Sequence, residues 1–133
     1  MATNSPYRTS SDLVTEALAN LGVLEAGQPI DPEDFSYVDE KLDSIFRKLA
    51  ALEICYVPDA ENIPGEWFSD LADIVAGECA TKFGANPDHY TMLIMRGLGG
   101  AGGVPIAAGA AAQSLKIMTR GRPTGEAQRN FYF

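Results

Sequence analysis

The amino-acid sequence predicts an all-α protein, a small helical bundle of four to five helices with an extended C-terminal arm. Three observations predict this fold. Apolar residues recur every three or four positions in three segments, which is the spacing of one helix face. Two segments open with a capping residue followed by proline, as many helices do. Residues 91–133 hold 8 of the 13 glycines, so we expect them to form no core of their own.

Length and charge divide the chain into two parts. A chain of 133 residues with 46% hydrophobic and 21% charged residues suits one globular domain. Residues 1–90 carry 17 acidic and 5 basic side chains, whereas residues 91–133 carry 5 basic side chains and one acidic, so charges of -12 and +4 sum to -8. We therefore expect a helical bundle body over 1–96. Residues 97–133 would form a glycine hinge, an Ala-rich helix and an extended C-terminal docking arm.

The first helix is predicted from Leu13, Ala17, Leu18 and Leu21, which lie on one helix face. Polar residues at positions 10–12 can cap its start, and Gly22 can end it in a left-handed conformation. Residues 23–30 would then form a connecting loop.

The second helix has the clearest pattern in the chain. Asp31 is placed as the N-cap and Pro32 at the first helical position. Asp43 and Arg47 are spaced as an i, i+4 ion pair. One apolar stripe follows the helix, with spacings of three and four: Phe35, Val38, Leu42, Ile45, Leu49 and Leu52.

The third helix is predicted to open at Pro64 and to stop near Gly84. A loop over 54–63, with a short extended piece at its start, precedes this helix. Glu78 and Lys82 have the spacing of a helical ion pair. The apolar positions are Phe68, Leu71, Val75, Cys79 and Phe83.

Two further helices follow. Asn86 and Pro87 repeat the cap-then-proline start, which predicts a fourth helix to about residue 96 with Leu93 and Ile94 in the core. Pro105 can start a fifth, Ala-rich helix that continues to about residue 118. The remaining arm of roughly 14 residues would reach about 45 Å if fully extended.

Sites of catalysis or cofactor binding are not indicated. Cys55 and Cys79 lack neighbouring ligands at metal-binding spacing, so we interpret them as buried thiols. His89, the one histidine, has no nucleophile nearby in sequence. The glycines at 97, 99 and 102 match G-x-G-x-x-G, but no strand-helix-strand unit surrounds them, which favours a hinge over dinucleotide binding. We expect no enzyme and no cofactor.

Surface charge and hydropathy limit other functions. The many carboxylates are interpreted as a solvated face, because acidic pairs are too common here to indicate a glycosidase. Five dispersed cations at residues 96–129 would bind DNA weakly on a protein of net charge -8. Residues 97–115 are uncharged but contain six glycines and few large apolar residues, so we expect no membrane span. The polar start carries no secretory signal, which predicts synthesis in the cytoplasm.

Two patterns in the predicted helices resemble one family. The sequence ALANLGVL at 17–24, the pattern LD-x-x-F-x-x-L at 42–49 and the helical segment 72–84 resemble the head-to-tail adaptors, or tail accessory factors, of tailed bacteriophages. The resemblance covers roughly residues 13–84.

The resemblance implies a structural protein of the virion, made in the host cytoplasm and placed at the head-tail junction. Such adaptors form a ring, commonly of twelve copies, which docks under the portal protein and presents a platform to a tail or nozzle protein. DNA passes through the channel during genome ejection without sequence-specific binding. The alternative is a helical protein-interaction or regulatory subunit of a non-viral system.

The C-terminal arm is the predicted docking element for the portal protein. Each aromatic that becomes well buried would contribute about 1.5 to 3 kcal/mol, and repetition around a ring would strengthen the attachment. The candidate docking residues are Arg120, Arg122, Arg129, Phe131, Tyr132 and Phe133.

Overall fold

The computed structural model describes residues 7–23, 28–83 and 86–120. Within them the protein is a small helical bundle, as the sequence predicts. The five helices are α1 (Ser10–Leu21), α2 (Pro32–Ala51), α3 (Gly65–Phe83), α4 (Pro87–Arg96) and α5 (Ala110–Arg120). Two short strands, β1 (Tyr7–Arg8) and β2 (Ile63–Pro64), pair in antiparallel fashion. The predicted C-terminal arm, apart from the end of α5, lies outside the described residues.

Helix α3 is the centre of the bundle, since it contacts α1, α2, α4 and α5. Small side chains allow those neighbours to approach closely, and several positions around the helix are buried. The buried residues of α3 are Trp67, Leu71, Ala72, Ile74, Val75, Ala76, Gly77, Cys79 and Ala80.

Helix α1 begins one residue earlier than the sequence indicates. Thr9 is the N-cap, and it forms a capping box with Asp12 in place of a cap at 10–12. The predicted apolar face is buried, and the expected left-handed Gly22 ends the helix with φ of 82°. The Gly22 N–H donates to the carbonyl oxygen of Ala19 at 3.1 Å, which satisfies one of the free carbonyls of the last turn.

Helix α2 confirms its predicted start and stripe. The Asp31 side chain accepts a hydrogen bond from the Glu33 N–H at 3.0 Å, and Pro32 is the first helical residue. The expected pair between Asp43 and Arg47 is present at 3.1 Å. The buried members of the stripe are Val38, Leu42, Ile45 and Leu49, whereas Phe35 and Leu52 are partly buried.

The end of α2 has the same hydrogen-bond pattern as the end of α1, but with glutamate in the place of glycine. Glu53 has φ of 59°. Its N–H donates to the Ala50 carbonyl at 3.0 Å, and the Ile54 N–H donates to the Leu49 carbonyl at 2.9 Å. Because left-handed backbone disfavours a residue with a Cβ, this turn is locally strained.

The loop before α3 differs from its prediction in two ways. The extended piece lies at Ile63–Pro64 rather than at 54–57, because pairing with β1 stabilises it there. Pro64 consequently ends a strand, and α3 begins at Gly65. Arg8 of β1 lies 5.0 Å above the Phe68 ring of α3, so the strand pair is attached to the central helix.

The predicted pair between Glu78 and Lys82 is replaced by a pair between helices. Glu78 accepts a hydrogen bond from Lys48 Nζ of α2 at 3.0 Å. Lys82 lies instead 5.2 Å from the Tyr37 ring of α2. A partner on a packed neighbouring helix was not visible in the sequence spacing of α3 alone.

Helix α4 spans Pro87–Arg96 with Asn86 as its N-cap, as predicted, and Leu93 is buried. The backbones of α3 and α4 come very close. A Cβ added at Gly77 would lie 2.9 Å from the Leu93 carbonyl oxygen, and a Cβ at Gly97 would lie 2.8 Å from the Asp73 carbonyl oxygen. Only glycine fits at these two positions without a shift of backbone.

The glycine segment after α4 is a tightly hydrogen-bonded turn in this structure, and the hinge expected from composition stays a prediction. The Gly100 N–H donates to the Val104 carbonyl at 2.7 Å, and the Ala107 N–H donates to the Leu98 carbonyl at 2.7 Å. Gly99 adopts φ of 92°, and a Cβ there would lie 2.3 Å from the Pro105 carbonyl oxygen. The glycines therefore permit close backbone packing.

Helix α5 begins at Ala110, five residues after the predicted start at Pro105, because residues 105–109 belong to the turn. It packs on α3 and α4. Leu98, Ala111, Ala112 and Leu115 are buried in the same hydrophobic core as α1 to α4. The expected division at residue 96 therefore passes through a single core.

The two left-handed helix ends predict opposite effects of substitution. Gly22→Ala adds a Cβ with nothing within 4 Å, so its effect reports backbone conformation alone. We expect it to lower the free energy of unfolding by about 1 kcal/mol and Glu53→Gly to raise it by a similar amount. Urea denaturation of both variants measures the two changes. A loss of stability in Glu53→Gly would contradict the assigned strain.

Candidate docking surfaces

The structure gives only the origin of the predicted docking element. Arg120 is the last residue of α5. Its side chain lies outside the described residues, as do the five further candidates: Arg122, Arg129, Phe131, Tyr132 and Phe133. Their arrangement therefore stays a prediction, whereas the place where the chain leaves the helical bundle is defined.

A hydrogen bond fixes the point where the chain leaves the bundle. Thr119 Oγ1 in the last turn of α5 donates to the Ile54 carbonyl oxygen, just after α2, at 3.0 Å. Ile54 is buried, and Met118 packs against the core. Helix α5 thus ends beside the loop that follows α2, and we call the residues after it, 121–133, the C-terminal segment.

Two adjoining clefts lie at this loop and share Ala50 and Tyr56. We call their combined lining the Tyr56 surface. The first cleft, of about 370 Å³, is lined by Ala50, Glu53, Ile54, Cys55, Tyr56 and Thr119. The second, of about 340 Å³, is lined by Asp43, Phe46, Arg47, Ala50, Tyr56, Val57, Pro58 and Ala60.

The Tyr56 surface has the composition of a small protein-docking site. Tyr56 is 69% exposed, which makes it the most exposed large apolar or aromatic residue in the described chain. Phe46 and Val57 beside it are partly buried and pack against the core. Charged groups, Glu53 and the ion pair of Asp43 with Arg47, line the same clefts. An exposed aromatic among apolar neighbours with a polar edge is typical of interface anchors.

Charge on α2 is predominantly negative. Lys48 pairs with Glu78 of α3, whereas Lys41 lies 5.4 Å from the ring of Tyr37, one turn earlier in α2 itself. Most of the exposed charged residues of α2 are carboxylates, which we call the α2 acidic face: Glu33, Asp39, Glu40 and Asp43. Asp43 pairs with the exposed Arg47, whereas Glu33, Asp39 and Glu40 have no ion-pair partner among the described residues.

A third cleft, of about 450 Å³, lies at the start of α2 beside the end of α3. Tyr37 and Lys82 line it, with Lys82 5.2 Å from the Tyr37 ring, and the Phe83 ring packs edge-on against Tyr37 at 5.7 Å. Because these contacts join α2 to α3, we interpret this cleft as a structural joint between the two helices.

The cysteines and the histidine considered above for metal binding or catalysis do not assemble into a site among the described residues. Cys55 and Cys79 are free and buried, and burial raises the pKa of each thiol to about 11, which leaves little thiolate at neutral pH. His89 is exposed in the first turn of α4. Across 7–23, 28–83 and 86–120, no group of three or more His, Cys, Asp or Glu residues is placed to hold a metal ion.

None of the described helices has both the length and the apolar character needed to cross a membrane.

No protein-family model, curated protein or solved structure matches this chain. The predicted adaptor role therefore depends on the sequence resemblance and on the surfaces described above.

Asp73 of α3 is a partly buried carboxyl whose pKa is raised by its surroundings. Burial between α1, α3 and α4 raises its pKa, and Asp70 and Glu16 raise it further, while Arg96 opposes the shift. Asn20 of α1 donates to Asp73 Oδ1 at 3.2 Å. A raised carboxyl pKa in the folded state means that ionised Asp73 destabilises the fold, and this penalty grows as pH rises from the unfolded pKa through the folded one.

We therefore expect Asp73→Asn, which retains an acceptor for Asn20, to stabilise the protein at pH 7 by a few tenths of a kcal/mol, since partial exposure screens the effect. The gain should disappear near pH 3, where Asp73 is largely protonated in both the folded and the unfolded protein. Urea denaturation at the two pH values, with the exposed Asp39→Asn as control, measures it. A loss of stability at pH 7 in Asp73→Asn alone would contradict the assignment.

Proposed function

We propose that this protein is a structural head-to-tail adaptor of a tailed bacteriophage, without catalysis and without a cofactor. In this proposal, copies of the chain form a ring, with twelve as the expected number, between the portal protein and a tail or nozzle protein. The ring extends the channel through which DNA leaves the head. The protein acts in the virion after synthesis in the host cytoplasm.

The observation that carries the proposal is the position of the end of α5, because it sets where the C-terminal segment begins. Thr119 attaches the end of α5 to the helical bundle, so residues 121–133 begin at a defined place on the body. A rigid body with a terminal docking segment suits a protein that joins two larger assemblies. Arginines and three terminal aromatics in that segment offer both charge and apolar area to a portal.

Symmetry adds strength to a modest contact. A single segment that buries its terminal aromatics would contribute about 1.5 to 3 kcal/mol for each well-buried ring. Once one subunit of a ring has docked, the remaining segments bind at high effective concentration. Attachment of a whole ring can therefore be firm even when one isolated chain binds weakly.

The α2 acidic face suits the wall of a DNA channel. Its carboxylates are exposed, Lys48 is paired with Glu78 of α3, and Arg47 is paired with Asp43. A surface of predominantly negative charge repels a polyanion, so phosphates would slide past without adhering. We propose that this face is turned to the channel.

The experiment compares the full chain with a chain that ends at Arg120. That end point keeps Thr119 and the buried core, so circular dichroism should report an unchanged helical body. Each protein is mixed with the portal protein encoded in the same genome and imaged by electron microscopy. We expect rings on the portal with the full chain and none with the shortened chain.

A second variant separates charge from apolar contact in the same assay. Replacing Phe131, Tyr132 and Phe133 with serine leaves every arginine in place, and we expect most of the portal binding to be lost. Full binding by the shortened chain would contradict docking through the segment. If the full chain forms no ring on the portal, the adaptor function is wrong, and a helical regulatory subunit becomes the better proposal.

A further inference from the structure

We propose that the Tyr56 surface binds the C-terminal segment, residues 121–133, of its own chain when no larger partner is present. The proposal depends on the described clefts and on the sequence of the segment, and it holds whether or not the protein is a phage adaptor. It assigns an intramolecular ligand to a surface that the adaptor function does not use.

The first step is proximity. Thr119 both lines the first cleft and bonds to the Ile54 carbonyl at 3.0 Å, so the segment begins at the edge of the surface. Thirteen extended residues reach roughly 43 Å, which is ample to cross both clefts from that edge. A tethered ligand of this length has a high effective concentration, so a weak contact is enough to occupy the site.

The second step is complementary chemistry. The segment ends in three aromatics, and the second cleft presents Phe46, Val57 and Pro58 around Tyr56. Aromatic rings bury large apolar areas and pair well with other aromatics. A terminal Phe-Tyr-Phe sequence therefore matches the most apolar part of this surface.

The third step is charge. The segment carries two arginines and one glutamate, whereas the first cleft carries Glu53. Glu53 has no ion-pair partner among the described residues, and it occupies a left-handed position where glycine is favoured. Strained residues of this kind concentrate at functional surfaces. We expect the Glu53 carboxylate to attract the arginines of the segment, which would account for a glutamate at a position that favours glycine.

The fourth step is exchange of partners. Aromatics that bind Tyr56 in the free protein are the same residues proposed to dock on a portal. A stronger partner would therefore have to displace the segment from the Tyr56 surface. This competition would keep three terminal aromatics covered until the partner is available.

The test uses the full chain labelled with ¹⁵N and follows the amide resonances of residues 53–58 by NMR. In the variant with serine at 131, 132 and 133, we expect these resonances to shift, because the ligand of the surface is lost. Amides near Met92, another exposed apolar residue far along the sequence, serve as the internal control. Shifts confined to residues near 131–133 would overturn the proposal.

The reciprocal variant, Tyr56→Ser, keeps the segment intact. We expect the resonances of residues 129–133 to move to the positions of an unstructured peptide. Unchanged resonances there would also overturn the proposal. Because Tyr56 is exposed, this substitution leaves the core untouched and the variant should fold.

Dilution identifies the source of the segment. An intramolecular contact gives the same spectrum at every concentration, and this is the expected result. Resonances of residues 53–58 that change on dilution would show that a second copy supplies the segment, which would overturn the proposal.

Alkylation of Cys55 provides a measurement independent of NMR. Both thiols are buried, but Cys55 also lines the first cleft, whereas Cys79 lies in the core on α3 and reports any unfolding. At alkaline pH, the serine variant should react several-fold faster than the natural chain at Cys55 and equally at Cys79. Equal rates at Cys55 would count against coverage of the cleft.

Discussion

The close approach of the α3 and α4 backbones is the constraint on which the rest of the structure depends. Gly77 and Gly97 each face backbone of the opposite segment, and a Cβ at either would meet a carbonyl oxygen at 2.9 or 2.8 Å. Ala72, Ala76 and Ala80 of α3 are also buried, and their small side chains let neighbouring helices pack closely. One helix can thus contact all four others, and a short chain builds a single core.

Both proposed surfaces follow from this central helix. Since α5 packs on α3, its last turn reaches the loop after α2, and Thr119 can bond to Ile54. Since the apolar stripe of α2 is buried in the core that α3 centres, the carboxylates between its members are exposed. The origin of the C-terminal segment, the Tyr56 surface and the α2 acidic face are therefore fixed relative to one another by one core.

Local patterns in the sequence predicted much of the fold but little of the candidate site. The caps Asp31 and Asn86 act through neighbouring residues, so sequence spacing alone located two helix starts. Pro105 can start a helix, but tertiary hydrogen bonds hold it in a turn. Composition assigns Gly97 to a hinge, because its contact with the distant backbone of α3 is not visible in the sequence spacing. Tyr56 had no periodic signal, since a loop residue acquires its surroundings only from elements far along the chain.

The most direct measurement of the central claim is the unfolding free energy of Gly77→Ala. The added Cβ collides with backbone that cannot rotate away, so we predict a loss of about 1 to 3 kcal/mol, even though alanine favours helix by about 1 kcal/mol over glycine. Thr81→Ala, at an exposed position of α3, should change stability by less than about 0.5 kcal/mol. Stability of Gly77→Ala equal to or above that of the natural chain would contradict the account.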